Sequence, residues 1–161
     1  MNLYYVNSDY ISYLRRFNRR VLWNKSHRPY VGIVFKFNEF TYFAPLETAK
    51  SGKHVNKRIA VQVWGSSQSD TAPLSFLLLN DMIPINEANY TLVDMEVEKE
   101  RNVLKYQLML NEINYIRPRE AQITRQASKV YQLKNKKNID FFNRMCLDFK
   151  LLEEKSLLFD R

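Results

Sequence analysis

The chain has 161 residues, 45% hydrophobic and 14% aromatic, enough to bury one core and to be read as a single domain over 1–161. Twenty-five Lys and Arg against seventeen Asp and Glu leave a net charge of +8, which favours a polyanionic partner such as nucleic acid or an anionic surface. The one cysteine, Cys146, cannot form an internal disulfide, and no stretch approaches the roughly 20 apolar residues of a membrane span. Met1 to Leu14 interrupts its apolar residues with Asn, Asp and Ser, unlike a signal peptide, so a soluble, cytoplasmic protein is expected.

In chain order, Ser8 to Arg16 reads as a short helix. YVGIVFKF (30–37) is β-branched and aromatic, and Asn38-Glu39 separates it from FTYFAPL (40–46) as in a hairpin. RIAVQVW (58–64) and LSFLLL (74–79) extend the strand pattern, and MIPI (82–85) and YTLVDM (90–95) are shorter strands. The period then changes. Val103, Leu104, Leu108, Met109, Ile113 and Ile116 recur at amphipathic-helix spacing between Glu98 and Ile116, and Pro118 ends that helix. A more polar helix follows from Arg119 to Leu133, and Asn138-Ile-Asp opens a last helical segment through Leu152. The sum is an α+β fold: an antiparallel sheet, or a small barrel if it closes, with helices mostly in the C-terminal half.

Common enzyme constellations are absent from the sequence. Two His and one distant Cys do not make a zinc site, no Gly-rich phosphate loop occurs, and the acidic clusters that hold magnesium in two-metal nucleases are missing. No metal or cofactor is expected. A polyanion could still be cut without metal if it is RNA, whose 2′-hydroxyl is a built-in nucleophile. APLETAKSGKH (44–54) offers suitable groups: Thr48 to hold a phosphate oxygen, then Lys50, Ser51, Lys53 and His54. Arg28 opens the strand that pairs with the one leading into this loop, so the hairpin would bring it to the same side. The same residues are also ordinary turn chemistry, and Lys57-Arg58 or the basic stretch KVYQLKNKK (129–137), with Lys134, Lys136 and Lys137, are equally a solvated face or an RNA-backbone contact. Tyr30 and Tyr115 are candidate aromatics for gripping RNA bases. On the residues alone, a non-catalytic basic RNA-binding module stands beside a metal-independent ribonuclease.

RPYVGIVFKFNEFTYFAPLETAK (28–50) and NDMIPI (80–85) together resemble the ToxN/AbiQ family, the protein toxins of type III toxin-antitoxin systems. LYYVNSDYISYLRRF (3–17), LKYQLMLNEINYI (104–116) and LLEEK (151–155) fall where such toxins carry similar segments, so the resemblance spans nearly the whole chain. It implies a compact, strongly bent antiparallel sheet of the MazF and Kid type, and metal-independent endoribonuclease activity that leaves a 2′,3′-cyclic phosphate and a 5′-hydroxyl. The implied partner is a repeat RNA antitoxin, which the toxin cuts into pseudoknot units that join toxin molecules into an RNA-bridged ring. Freed toxin would cleave cellular and phage RNA, arresting growth and aborting phage infection. In the family pattern APL precedes a hydroxyl-bearing turn and a Lys. Thr48 and Lys50 take those places here, and Arg28 takes that of a basic residue before the first long strand. Glu47 departs from the pattern, standing where a hydroxyl is usual, so it is expected to point away from the phosphate or to pair with a lysine. Ala49 replaces a proline.

Overall fold

The computed structural model describes residues 1–24, 27–34, 39–67, 69–86 and 88–159. Its strands are β1 (Leu3–Val6), β2 (Tyr30–Val34), β3 (Thr41–Thr48), β4 (Ala60–Val63), β5 (Ser75–Leu78), β6 (Ile83–Ile85) and β7 (Tyr90–Leu92). Its α-helices are α1 (Ser8–Arg15), α2 (Met95–Arg101), α3 (Val103–Ile116), α4 (Glu120–Lys136), α5 (Asp140–Met145) and α6 (Phe149–Ser156). β1 is a strand that the sequence reading left out. Residues 35–38, at the predicted strand end and hairpin turn, lie outside the described residues.

β3 organises the sheet. One edge pairs antiparallel with β2, from Tyr30 opposite Pro45 to Val34 opposite Thr41. Its other edge serves two strands in succession: Thr41 to Phe43 pair with β6, and Leu46 to Thr48 with β5. The order is β4-β5-β3-β2-β1-β7, with β6 also on β3. The sheet is therefore antiparallel throughout and, among the described residues, open at β4 and β7, so it does not close into the barrel that the sequence allowed.

Both faces of β3 are covered, which explains its continuous apolar character. On one face Phe43 packs against Tyr4 of β1 and Tyr90 of β7, with ring centroids 4.9 and 4.8 Å away. Gly32 lies opposite Phe43 in the β2–β3 pair, and a Cβ added there would stand 3.0 Å from the Phe43 ring and 3.2 Å from that of Tyr4. The glycine inside YVGIV thus makes room for rings that lie over it. On the other face, Tyr42 meets Tyr131 of α4 and Phe149 of α6.

The helices follow the predicted periodicity but break more often. Asn102 adopts an extended conformation (φ −156°, ψ 97°) and its side chain accepts the Lys105 amide, so 98–116 divides into α2 and α3. Pro118 sits in a 3₁₀ turn over Arg117–Arg119 that separates α3 from α4. The last segment divides at Cys146, and Asp148 caps α6 by accepting the Leu151 amide. No helix among the described residues is long and apolar enough to cross a membrane.

A buried carboxylate fastens these helices to the sheet. Glu153 of α6 accepts hydrogen bonds from the hydroxyls of Tyr42 and Tyr131, each at 2.6 Å, on its Oε1 atom. Burial and the Glu153 bond hold the Tyr42 hydroxyl far above the usual tyrosine range, so it stays a donor. Glu153→Ala removes the acceptor that two elements share and opens a cavity; a loss of about 2–4 kcal/mol is expected, read as a fall in Tm of several degrees in thermal unfolding.

Candidate active site

A cleft of about 330 Å³ opens beside the end of β3. His27, Arg28 and Pro29 line it from the segment entering β2; Leu46, Glu47, Thr48 and Lys50 from the end of β3; Lys105, Leu108, Met109 and Glu112 from α3. Arg28 reaches it because of the β2–β3 register. Its Nη1 donates to the Leu46 carbonyl at 3.1 Å and its Nε to the Trp23 carbonyl at 3.2 Å, so two backbone acceptors aim the guanidinium. Thr48 and Lys50 are exposed and close the same cleft from the opposite strand.

Three of the residues named from the sequence as catalytic, Arg28, Thr48 and Lys50, are thus brought together. Ser51 and His54 are not: both are exposed on the β3–β4 connection, outside the cleft lining. That connection turns at Gly52, whose φ of 80° suits glycine, and the Lys53 amide donates to the Lys50 carbonyl at 3.1 Å. Lys53 spends its ammonium on Glu47, 2.5 Å from Oε2. The carboxylate at the unusual position therefore lines the cleft with a lysine on it.

α3 supplies residues that the sequence reading passed over as one face of an amphipathic helix. Lys105 and Glu112 lie seven apart, two turns, with Leu108 and Met109 between them, so one stripe carries both charges into the cleft. Lys105 donates to the His27 carbonyl at 3.1 Å, and its Nζ stands 5.1 Å from the centre of the Tyr5 ring. Burial lowers its ammonium below the ordinary lysine value, against the charges of Glu98 and Glu112. His27 itself has a positive φ of 54° and places its ring 5.5 Å from that of Tyr5. Glu112 is only 2% exposed. Ser75 of β5, directly opposite Thr48 in the β3–β5 pair, donates to its Oε2 at 2.7 Å, while Oε1 has no hydrogen-bond partner among the described residues. The signal available in the sequence was the pair of charges embedded among the apolar positions of α3.

The candidate RNA-binding residues distribute over other surfaces. A groove of about 620 Å³ brings Asn56, Lys57 and Arg58 against Gln126, Lys129 and Leu133 of α4, with the Gln126 side chain donating to the Lys57 carbonyl at 2.8 Å. Arg58 lies over Phe141, 4.3 Å from the ring centre. Lys134, Lys136 and Lys137 continue along the end of α4 beyond the groove lining. Tyr115 is half-buried and carries the Arg119 guanidinium 3.8 Å above its ring. Tyr30 requires a correction: it is 1% exposed, a core residue, because β2 is covered on both faces and cannot present that ring to a base.

Two acids, the buried Glu112 and the partly buried Asp81, make stability fall as pH rises. Burial pushes Glu112 from 4.5 to about 7, against the Ser75 bond and the Lys105 charge, and pushes Asp81 of NDMIPI from 3.8 to about 6. The folded chain then binds more protons than the unfolded chain between those limits, so unfolding becomes easier as pH rises from about 4 to about 7. Glu112→Gln removes one of these groups, and its Tm should fall less steeply than that of the wild type across this window; parallel slopes would contradict the burial of an ionisable Glu112.

The family model for the ToxN toxin of type III toxin-antitoxin systems matches residues 2–156. Endoribonuclease ToxN of Bacillus thuringiensis subsp. kurstaki is 31% identical over 158 residues, covering 93% of this chain and 79% of that protein. A solved structure of a bacterial type III toxin-antitoxin system, in which a non-coding RNA pseudoknot selectively inhibits the toxin, superposes with a TM-score of 0.88 at 28% identity over 98% of both chains. That of AbiQ, a lactococcal anti-phage endoribonuclease of the same type of system, gives 0.82 at 26% identity, covering 98% of this chain and 96% of AbiQ. With its open antiparallel sheet, its C-terminal helices and the APL strand that ends in a basic cleft, the chain belongs to the ToxN family of type III toxin-antitoxin toxins.

Proposed function

We propose that this chain is an endoribonuclease toxin that cleaves RNA without a metal ion in the cleft between β3 and α3, in the cytoplasm. The observation that carries the reading is the convergence of Arg28, Thr48 and Lys50 from separate segments onto one cleft of nucleotide size. The 2′-oxygen attacks the adjacent phosphorus, the bond to the 5′-oxygen breaks, and the products are a 2′,3′-cyclic phosphate and a 5′-hydroxyl. Lys50, as an ammonium, neutralises the phosphate and so eases loss of the 2′-proton, which passes to solvent water, while the departing 5′-oxygen takes a proton from water. Thr48 donates to a non-bridging oxygen. Arg28, already held by two carbonyls, presents its remaining edge to the charge of the phosphorane. Lysines and an arginine line this cleft, and Glu47 is occupied by Lys53, a donor set that suits an anion rather than a divalent cation.

The partner proposed for the second surface is the repeat RNA antitoxin. Its pseudoknot units would lie against Lys57, Arg58 and Lys129, bridge neighbouring toxin molecules, and inhibit cleavage of cellular and phage RNA until released.

Incubation of purified protein with RNA in EDTA tests the chemistry. Cleavage to cyclic-phosphate ends should persist, and Lys50→Ala should lower the rate about 100-fold or more; a strict magnesium requirement would overturn the assignment. For the second surface, Lys57→Ala and Arg58→Ala should weaken repeat-RNA binding and each reduce the slope of log affinity against log salt by about 1, with cleavage of short RNA retained.

A further inference from the structure

The cleft offers more than a phosphate needs. Beyond its cations it has an apolar wall of Pro29, Leu46, Leu108 and Met109, and a buried carboxylate with one oxygen already bonded. A flat heterocycle fits such a wall, and pockets that recognise one commonly combine apolar surface with a single, well-fixed polar group. We propose that Glu112 is the base-selecting residue of this nuclease, its Oε1 accepting a hydrogen bond from the exocyclic amino group of a nucleobase seated beside the scissile phosphate.

The geometry limits what this group can read. Ser75 donates to Oε2 and orients the carboxylate, which leaves Oε1 as the oxygen with no hydrogen bond among the described residues. A single oxygen suits one amino N–H, as adenine, cytosine and guanine provide. Uracil has no amino group, and its only base N–H lies between two carbonyl oxygens that the carboxylate repels. An unpartnered buried acceptor is costly in the free protein, and a donor from the ligand removes that cost, so the discrimination arises where the site is least satisfied without substrate. Ser75 lies opposite Thr48 in the strand pair, which puts the Glu112 carboxylate beside the residue assigned to the phosphate. Burial raises Glu112 toward neutrality, and an amino group bound to its free oxygen, as a donor, favours the ionised acceptor form.

The inference rests on the RNA-cleaving reading of the same cleft, and one experiment separates the two. A random-sequence RNA is digested with the wild type and the new ends are sequenced. At one position beside the cut, uridine should be depleted about 10-fold or more relative to the other bases; uridine accepted equally at every position overturns the inference while leaving the nuclease intact, and no cleavage of any RNA overturns the underlying reading. Glu112→Leu should abolish the uridine depletion, and an unchanged preference in that variant also sinks the inference. Should the variant fail to fold, the substrate carries the test. Replacing the favoured base at that position by its analogue without the amino group, purine for adenine being one case, should lower wild-type kcat/KM about 10-fold or more, and an unaltered value refutes the contact.

Discussion

The register of β2 against β3 is the constraint on which the rest of the molecule depends. Tyr30 opposite Pro45 places Arg28 next to Leu46, where the Leu46 carbonyl takes its Nη1. A shift of one residue would turn every side chain of β2 to the other face and carry Arg28 away from Thr48 and Lys50. What prevents the shift is packing specific to this pairing. Phe43 fits over Gly32, the position in β2 that leaves space for its ring, and Tyr4 and Tyr90 close around it. The candidate arrangement at the ends of these two strands is thereby set by an aromatic cluster in their middle.

Electrostatically, the cleft places acids inside a basic site and limits each one. Glu47 would repel a phosphate if left alone, but Lys53 is bonded to it, and the pair is partly exposed, so it does more to quiet the carboxylate locally than to stabilise the fold. Glu112 is handled by burial, which raises its affinity for a proton, and by Ser75, which fixes its orientation. The result is a cleft whose accessible charge is mainly positive while the unpartnered Glu112 oxygen lies deep in its wall. Phosphate contacts position a nucleic acid and base contacts specify it; on the proposed reading the two kinds of contact would come from different elements, the ends of the β2–β3 pair for the first and α3 for the second.

Much of the fold was legible because its signals are local. The β-branched and aromatic runs at 30–34, 60–63 and 75–78, the amphipathic spacing after Val103 and the stop at Pro118 are all observed close to where the periodicity places them. Less legible were the short breaks at Asn102 and Cys146, where a single cap decides whether a helix continues. β1 was missed because LYYV gains its strand character from pairing with β2 and β7 on either side, which no local pattern encodes. At the site, Arg28, Thr48 and Lys50 could be anticipated from one hairpin and one motif. Lys105 and Glu112 could not, since their place in the cleft depends on how α3 lies against β4 and bonds β5 through Ser75. Tyr30 was misjudged for the opposite reason: an aromatic residue in a strand faces water or core according to what covers the sheet, and here helices and strands cover both faces.

The connection from β3 to β4 joins these two levels of organisation. Thr48 and Lys50 stand at its start in the cleft, and Asn56, Lys57 and Arg58 at its end in the groove against α4. Gly52 and the turn bond from Lys53 shape its first part, while Gln126 of α4 holds the Lys57 carbonyl at its far end. A nucleic acid seated in the groove, as proposed, would bear on the same connection that carries Lys50. On the proposed reading, that continuity would give a folded RNA a physical means of restraining Lys50 without any coupling through the core, since an ordered connection has fewer conformations from which the lysine can reach a scissile phosphate, while Glu47, held in the β3–β5 ladder, keeps Lys53 tied to the strand end.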